Sequence, residues 1–332
     1  MAVKLVMVTP FLNDRQQWLA DNLIVPVEIA ASPTFKEEDA ARLLPGAEIA
    51  LTSHWSSAMG EAADSLRFIQ MPGAGWDKMD PDAVPEGVLV ANCYEHEQGI
   101  AEYVLMMCLA LARELLEADR TIRQGNWKLF PALGYPFFPE LGGQTIGIIG
   151  LGRIGKAVAK LTSGFNMRRI AIDAFPIGDD VKESLSIDWI GGISDLDRLL
   201  GESDFVVISA PYSDETRGML GARELSLLKP TAFLINPARA EIVDEQALYE
   251  ALRDKVFAGA ALDPWWAYPK TDECVAPSRF PFADLDNVIM TPHTSGSTAQ
   301  TIDRRMDVVV ANINRYFRGE QVVNVVDEMS RV

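Results

Sequence analysis

The chain has 332 residues, of which 48% are apolar and 23% charged, so it can bury a core and is not a disordered segment. At ~150 residues per domain, the length predicts two domains. A formal net charge of −17 argues against a nucleic-acid partner, which would need clustered Lys and Arg. Cys93, Cys108 and Cys274 are far apart and form no CxxC pair, so neither a disulfide framework nor a metal site is expected.

In chain order, the opening apolar run Val3–Val8 is too short for a signal peptide and reads as a first strand. Further strands are expected at 47–52, 67–71, 88–91, 145–149, 169–173, 204–209, 232–235, 258–262 and 287–290, with helical patterns filling most gaps. This alternation predicts an α/β protein with parallel sheets covered on both faces. A long helix is expected from 98 to 123, with apolar residues over so much of its surface that it should be buried. Its richest stretch, 100–112, contains Glu102 and is too short to cross a bilayer, so the expected compartment is the cytoplasm. Residues 126–143 carry five aromatic residues among three prolines and cannot be a long helix. They read either as a loop packed on its own domain or as an arm that buries aromatics against a second subunit. The polar stretch 270–282 reads as a surface loop or as a cover for a partner's site.

The strongest local signal is a strand at 145–149 running into Gly150-Leu-Gly152-Arg153-Ile154-Gly155, followed by a helical pattern. Gly150 permits a tight turn, Gly152 lets backbone approach a pyrophosphate, and Gly155 lets helix and strand pack closely. The helix N-terminus, with Arg153 and Ile154 in its first turn, offers N–H groups to phosphate. The next strand ends at Asp173, where a carboxylate would accept ribose hydroxyls and repel a 2′-phosphate, favouring NAD over NADP. Arg168 and Arg169 lie close enough in sequence to soften that choice.

Two further residues sit just beyond strand ends, where ligands of parallel sheets bind. Arg239, in Asn236-Pro-Ala-Arg239, could hold a carboxylate bidentately or could form a surface ion pair. His293, in Thr291-Pro-His-Thr-Ser295-Gly296, could move a proton near neutral pH or could be structural.

The sequence resembles the D-isomer-specific 2-hydroxyacid dehydrogenase family over nearly its whole length. The resemblance rests on the glycine loop, Asn236–Asp244 around Arg239, Ala261-Leu-Asp263 and Thr291–Gly296, with support from Ala101-Glu102 and Gly73-Ala-Gly-Trp-Asp77. It implies a Rossmann doubly wound domain, 105–296, inserted into a flavodoxin-like substrate domain formed by 1–104 and 297–332. It further implies a homodimer built partly by the arm at 126–143. Arg239 would bind the substrate carboxylate and polarise the C2 oxygen, while His293 would exchange the hydroxyl proton as hydride passes between C2 and nicotinamide. Ala74 and Gly75 would hold the carboxylate through backbone. Asp263 would contact the nicotinamide carboxamide, and Pro211, Ser295 and Gly296 would line the cofactor.

One departure stands out. Most members carry a Glu five residues after the Asp at position 263, paired with the catalytic His; here that residue is Tyr268. A phenol can orient an imidazole but cannot stabilise its cation as a carboxylate does, so His293 is expected to titrate below the family norm. The NAD-dependent formate dehydrogenases also lack this Glu, but they carry Asn where His96 aligns. His96, with His54 and Trp55, either faces the substrate or serves surface and hinge roles. Trp265 and Trp266 either wall the cleft or pack in the core. The leading expectation is an NAD-dependent reductase of 2-keto acids, equivalently a D-2-hydroxyacid dehydrogenase. The alternatives are a formate-dehydrogenase-like enzyme and an NAD-sensing binding protein.

Overall fold

The computed structural model describes residues 2–135, 137–269 and 274–327, so Pro136 of the expected arm and residues 270–273 of the expected polar loop lie outside it. The chain divides into two compact units, Met1–Glu95 with Thr298–Val332, and His96–Ser297.

In the first unit, β1 (Val3–Val8), β2 (Val27–Ala31), β3 (Ile49–Thr52), β4 (Phe68–Gln70) and β5 (Leu89–Ala91) form a parallel sheet of order β2-β1-β3-β4-β5. This is the flavodoxin-like order. Side chains alternate across the sheet, as the pleat requires. Leu5 and Met7 join Ile49, Leu51 and Phe68 on one face, where Met306, Val309 and Ile313 of the helix Ala299–Arg318 cover them. Val6 and Val8 join Ala50, Ile69 and Val90 on the other. The covering helix is capped by Thr298, whose hydroxyl accepts the Thr301 N–H, and ends at Gly319 with φ +66°. Buried Asn312 ties that helix to the sheet by donating to Gln70 Oε1 at 2.9 Å.

In the second unit, β6 (Thr145–Ile149), β7 (Arg168–Ile172), β8 (Trp189–Gly191), β9 (Phe205–Ile208), β10 (Phe233–Asn236), β11 (Gly259–Leu262) and β12 (Val288–Met290) form a parallel sheet of order β12-β11-β10-β9-β6-β7-β8. This is the Rossmann arrangement, and the order reverses between β6 and β9. The carboxyl end of β6 lies at that switch point and carries the glycine loop.

Two features depart from expectation. The single helix expected over 98–123 is two, Glu97–Ala112 and Leu115–Arg123, with Glu114 between them in the left-handed region at φ +46°. No Gly or Pro marks this break. The first helix is buried in the core of the second unit, whereas the second leaves Leu115, Leu116 and Ile122 exposed, so the two face different surroundings. The strands β2 and β8 were not expected. Both are edge strands and half-buried for the most part.

Candidate active site

Each glycine of the loop does what its position requires. Gly150 adopts φ +91°, and a Cβ there would lie 2.7 Å from the Ala210 nitrogen. A Cβ on Gly155 would lie 2.2 Å from the Gly150 carbonyl oxygen, so only glycine lets this helix approach the loop. At Gly152 a Cβ would meet nothing within 4 Å, which leaves room against the N-terminus of the helix Arg153–Ser163. Ser209 Oγ donates to the Gly150 carbonyl at 2.6 Å and fixes the turn from β9. Pro211, two residues on, is exposed beside it.

Asp173 follows β7 and turns back to this loop, its Oδ2 accepting the Leu151 N–H at 2.7 Å and its Oδ1 the Phe175 N–H at 2.9 Å. The two arginines near it in sequence point elsewhere. Arg168 pairs with Glu202 at 2.6 Å, and Arg169 donates to the Leu185 carbonyl at 3.2 Å. Both sit at the amino end of β7, Arg169 roughly 13 Å and Arg168 roughly 17 Å of strand from Asp173 at ~3.3 Å per residue. The cradle thus has glycine room, helix N–H groups and a fixed carboxylate, and it fits a dinucleotide without a 2′-phosphate. Arg153, in the first helical turn, lies 3.7 Å from Glu97, and Ile154 beside it is half-buried.

A second cluster forms at the carboxyl ends of β10, β11 and β12. Asn236 ends β10 and pins the following turn, its Nδ2 donating to the Arg239 carbonyl at 2.8 Å and its Oδ1 accepting the Ala238 N–H at 3.0 Å. Arg239 is thereby held half-buried at the head of the short helix Ala240–Ile242. Asp263, fully buried after β11, organises the turn that carries His293. Its Oδ1 accepts the Thr291 hydroxyl at 2.5 Å and the Thr294 N–H at 2.8 Å, and its Oδ2 accepts the Ser295 N–H at 2.9 Å. The Asp263 carbonyl accepts the His293 N–H at 3.0 Å. These bonds hold His293 at φ +57°, a left-handed conformation that costs a residue with a Cβ about 1–2 kcal/mol.

The Tyr268 hydroxyl lies 2.7 Å from His293 Nδ1 and accepts the Trp265 N–H at 3.2 Å. Burial raises the Tyr268 phenol above its usual value, while the Trp265 N–H and the nearby Arg239 charge pull it down. The phenol therefore stays protonated at neutral pH. Trp265 donates its indole N–H to the Thr291 carbonyl at 2.8 Å, and its ring packs with Trp266 and Phe282. The two tryptophans are core packing that also steadies the histidine's turn.

Two supporting groups, Tyr103 and Thr291, had no assigned role in the sequence. Tyr103, on the helix Glu97–Ala112, is 2.8 Å from the Thr291 hydroxyl, which itself donates to Asp263. Tyr103 must then be the donor, and burial pushes its phenol up to about 12. Trp265, read in the sequence as cleft wall or core packing, completes the set through the Thr291 carbonyl. The adjoining Ala101-Glu102 pair was the only sequence signal near Tyr103.

His96 heads the same helix and adjoins Gly296, whose added Cβ would lie 3.4 Å from the His96 Cβ. In the first unit, Asn92 Nδ2 donates to the Ala74 carbonyl at 3.0 Å. The Ala74 and Gly75 N–H groups donate to nothing among the described residues. Trp55 is corrected: it is 2% exposed in the core, its indole N–H donated to the Ala83 carbonyl, so it offers no substrate contact. His54 beside it is half-buried at the carboxyl end of β3, and burial lowers its pKa. Among the described residues no cluster of His, Cys, Asp and Glu could hold a metal, and no helix is long and apolar enough to cross a membrane.

Residues 105–295 match the signature described as D-isomer specific 2-hydroxyacid dehydrogenase, NAD binding domain. The chain belongs to this family. A glyoxylate reductase of Korarchaeum cryptofilum is 34% identical over 284 residues, covering 84% of this chain and 81% of that one. Among solved structures, a 2-hydroxyacid dehydrogenase from Ketogulonicigenium vulgare is 28% identical with a TM-score of 0.79, covering 98% of this chain and 99% of that one. An acyclic imino acid reductase, Bsp5, in complex with NADPH and D-Arg, is 26% identical with a TM-score of 0.79, covering 98% of this chain and 100% of that one. As a family member the chain has an α/β Rossmann-type fold and takes an NAD-type cofactor.

Proposed function

We propose that this 2-hydroxyacid dehydrogenase family member is an NAD(H)-dependent enzyme that interconverts a 2-oxo acid and the D-2-hydroxy acid. The observation that carries the reading is the 2.7 Å contact between Tyr268 and His293 Nδ1, beside Arg239. Tyr268 engages Nδ1, which assigns Nε2 to the substrate oxygen. Its hydroxyl accepts the Trp265 N–H with one lone pair. It can then accept from Nδ1–H through the other, both in imidazolium and in the neutral Nδ1–H tautomer that remains once Nε2 has given its proton. The contact therefore persists in both protonation states.

The residues divide the work of carbonyl reduction. Arg239 holds the substrate carboxylate and draws electron density toward the C2 oxygen. His293 delivers a proton from Nε2 to that oxygen, and recovers it in the oxidative direction. Asp263 fixes the His293 turn, and its Oδ2, with one donor observed, would hold the nicotinamide carboxamide. Bound at the glycine loop, against Gly150, Gly152, Gly155, Asp173, Pro211, Ser295 and Gly296, NADH supplies the hydride.

The protein is further proposed to be a cytoplasmic homodimer. Met106, Leu115, Leu116, Trp127, Leu133 and Phe137 are all exposed, with Phe137 at 88%, an apolar surface too extensive to be left in water. Leu133→Asp with Phe137→Asp should yield monomers by light scattering. An unchanged mass would remove the arm from the interface.

The function is tested by NADH oxidation with glyoxylate, hydroxypyruvate, phenylpyruvate and oxaloacetate, with chiral analysis of the product, and by NAD reduction with formate. Formation of a D-2-hydroxy acid supports the reading. Tight NADH binding without turnover would point to a sensing role, and formate oxidation to the formate-type chemistry.

A further inference from the structure

We infer that Tyr103 is a positioning residue for the nicotinamide end of the cofactor: it commits the one Thr291 hydroxyl proton to Asp263 Oδ1 and so keeps Asp263 Oδ2 set to hold the carboxamide. This rests on the proposed assignment of Asp263 to the carboxamide. Every group involved lies in the second unit.

A threonine hydroxyl has one proton and two lone pairs. The Thr291 oxygen lies 2.5 Å from Asp263 Oδ1, 3.5 Å from the Leu262 carbonyl and 2.8 Å from the Tyr103 oxygen. The carboxylate and the carbonyl can only accept, so they compete for that proton. The phenol decides between them. By donating, it fills a lone pair of Thr291 and polarises the hydroxyl toward the carboxylate. By accepting, it would take the proton and leave two oxygens 2.5 Å apart with nothing between them. Burial pushes the Tyr103 phenol up to about 12, so it keeps its proton at neutral pH and remains a donor.

Tyr103 is buried in the apolar core of the second unit. A phenylalanine would fill that space as well, whereas a buried phenol needs a partner. Asp263 is itself fully buried, and its other donors, the Thr294 and Ser295 N–H groups, come from the turn just after Thr291. Tyr103 comes instead from the helix Glu97–Ala112 and braces the carboxylate from outside that turn. Oδ1 then has two donors, Thr291 and Thr294, whereas Oδ2 has Ser295 and room for a ligand. Without the phenol, the Thr291 hydroxyl can turn toward the Leu262 carbonyl, and the carboxylate loses a donor and its fixed plane.

The test is titration calorimetry with NADH and with its reduced acetylpyridine analogue, in which a methyl replaces the amino group of the carboxamide. The wild type should bind NADH at least about 10-fold more tightly, since the analogue leaves a buried carboxylate oxygen short of a donor. Tyr103→Phe should cut that ratio to about 3-fold or less, and Thr291→Val should do the same. The two losses should not add, because both variants break one chain of bonds. Thr291→Ser retains the hydroxyl and should retain the ratio. A merely structural phenol would weaken both nucleotides alike and leave the ratio where it was. An unchanged ratio in Tyr103→Phe, or a further fall when it is added to Thr291→Val, overturns this inference and leaves the Asp263 assignment standing. Equal affinities in the wild type overturn the Asp263 assignment and this inference with it.

Discussion

The Tyr268 hydroxyl and His293 Nδ1 are 2.7 Å apart, in a family whose members mostly place a carboxylate opposite that nitrogen. The phenol stays neutral because burial raises its pKa, so the pair holds the imidazole's orientation without favouring its charged form. Reduction needs a proton on His293 and should fall as pH rises past its titration. Tyr268→Glu adds a charge that stabilises imidazolium, so the alkaline limb of kcat/KM should move up by about one pH unit or more. Tyr268→Phe should cost about 10- to 100-fold in kcat with no upward movement of that limb. Identical pH profiles in the wild type and Tyr268→Glu would show that the contact does not govern the proton.

The glycine loop separates folding from binding. Gly155→Ala forces a Cβ to 2.2 Å from a backbone oxygen and should destabilise the second unit by about 1–3 kcal/mol or more, read as a lower Tm. Gly152→Ala meets nothing in the protein, so Tm should hold while NADH binding weakens at least about 10-fold. Fluorescence titration with NADH checks this, and unchanged affinity would remove the pyrophosphate from that space.

Cofactor choice should follow Asp173. Its carboxylate is fixed by Leu151 and Phe175, and Arg168 and Arg169 are engaged away from it. NADH should be preferred over NADPH by about 100-fold or more, consistent with like-charge repulsion of several kcal/mol. Asp173→Ser should erase most of that margin. Comparable kcat/KM for both cofactors in the wild type would place a base near the 2′ position.

Much of this architecture was legible in the sequence because central parallel strands are buried on both faces and read as unbroken apolar runs. Of the four edge strands, β5 and β12 were expected, whereas β2 and β8, half-buried for the most part, escaped. The break at Glu114 escaped because neither Gly nor Pro marks it and tertiary packing decides it. Gly150, Asp173, Arg239 and His293 stood out through motif and spacing. Tyr103 did not, and Trp265 stayed open between cleft wall and core, since their roles arise only when the helix Glu97–Ala112 and the segment after β11 meet Thr291. Trp55 misled, because a tryptophan after a strand end looks the same in sequence whether it enters the core or a pocket.

The central claim is that Arg239 and His293 perform carbonyl reduction together. The most direct measurement is the rate of NADH oxidation by the preferred 2-oxo acid, at saturating NADH, in wild type, Arg239→Ala and His293→Ala. Each variant should lose about 10²- to 10⁴-fold in kcat/KM while binding NADH with wild-type affinity. Full activity in either variant would contradict the account.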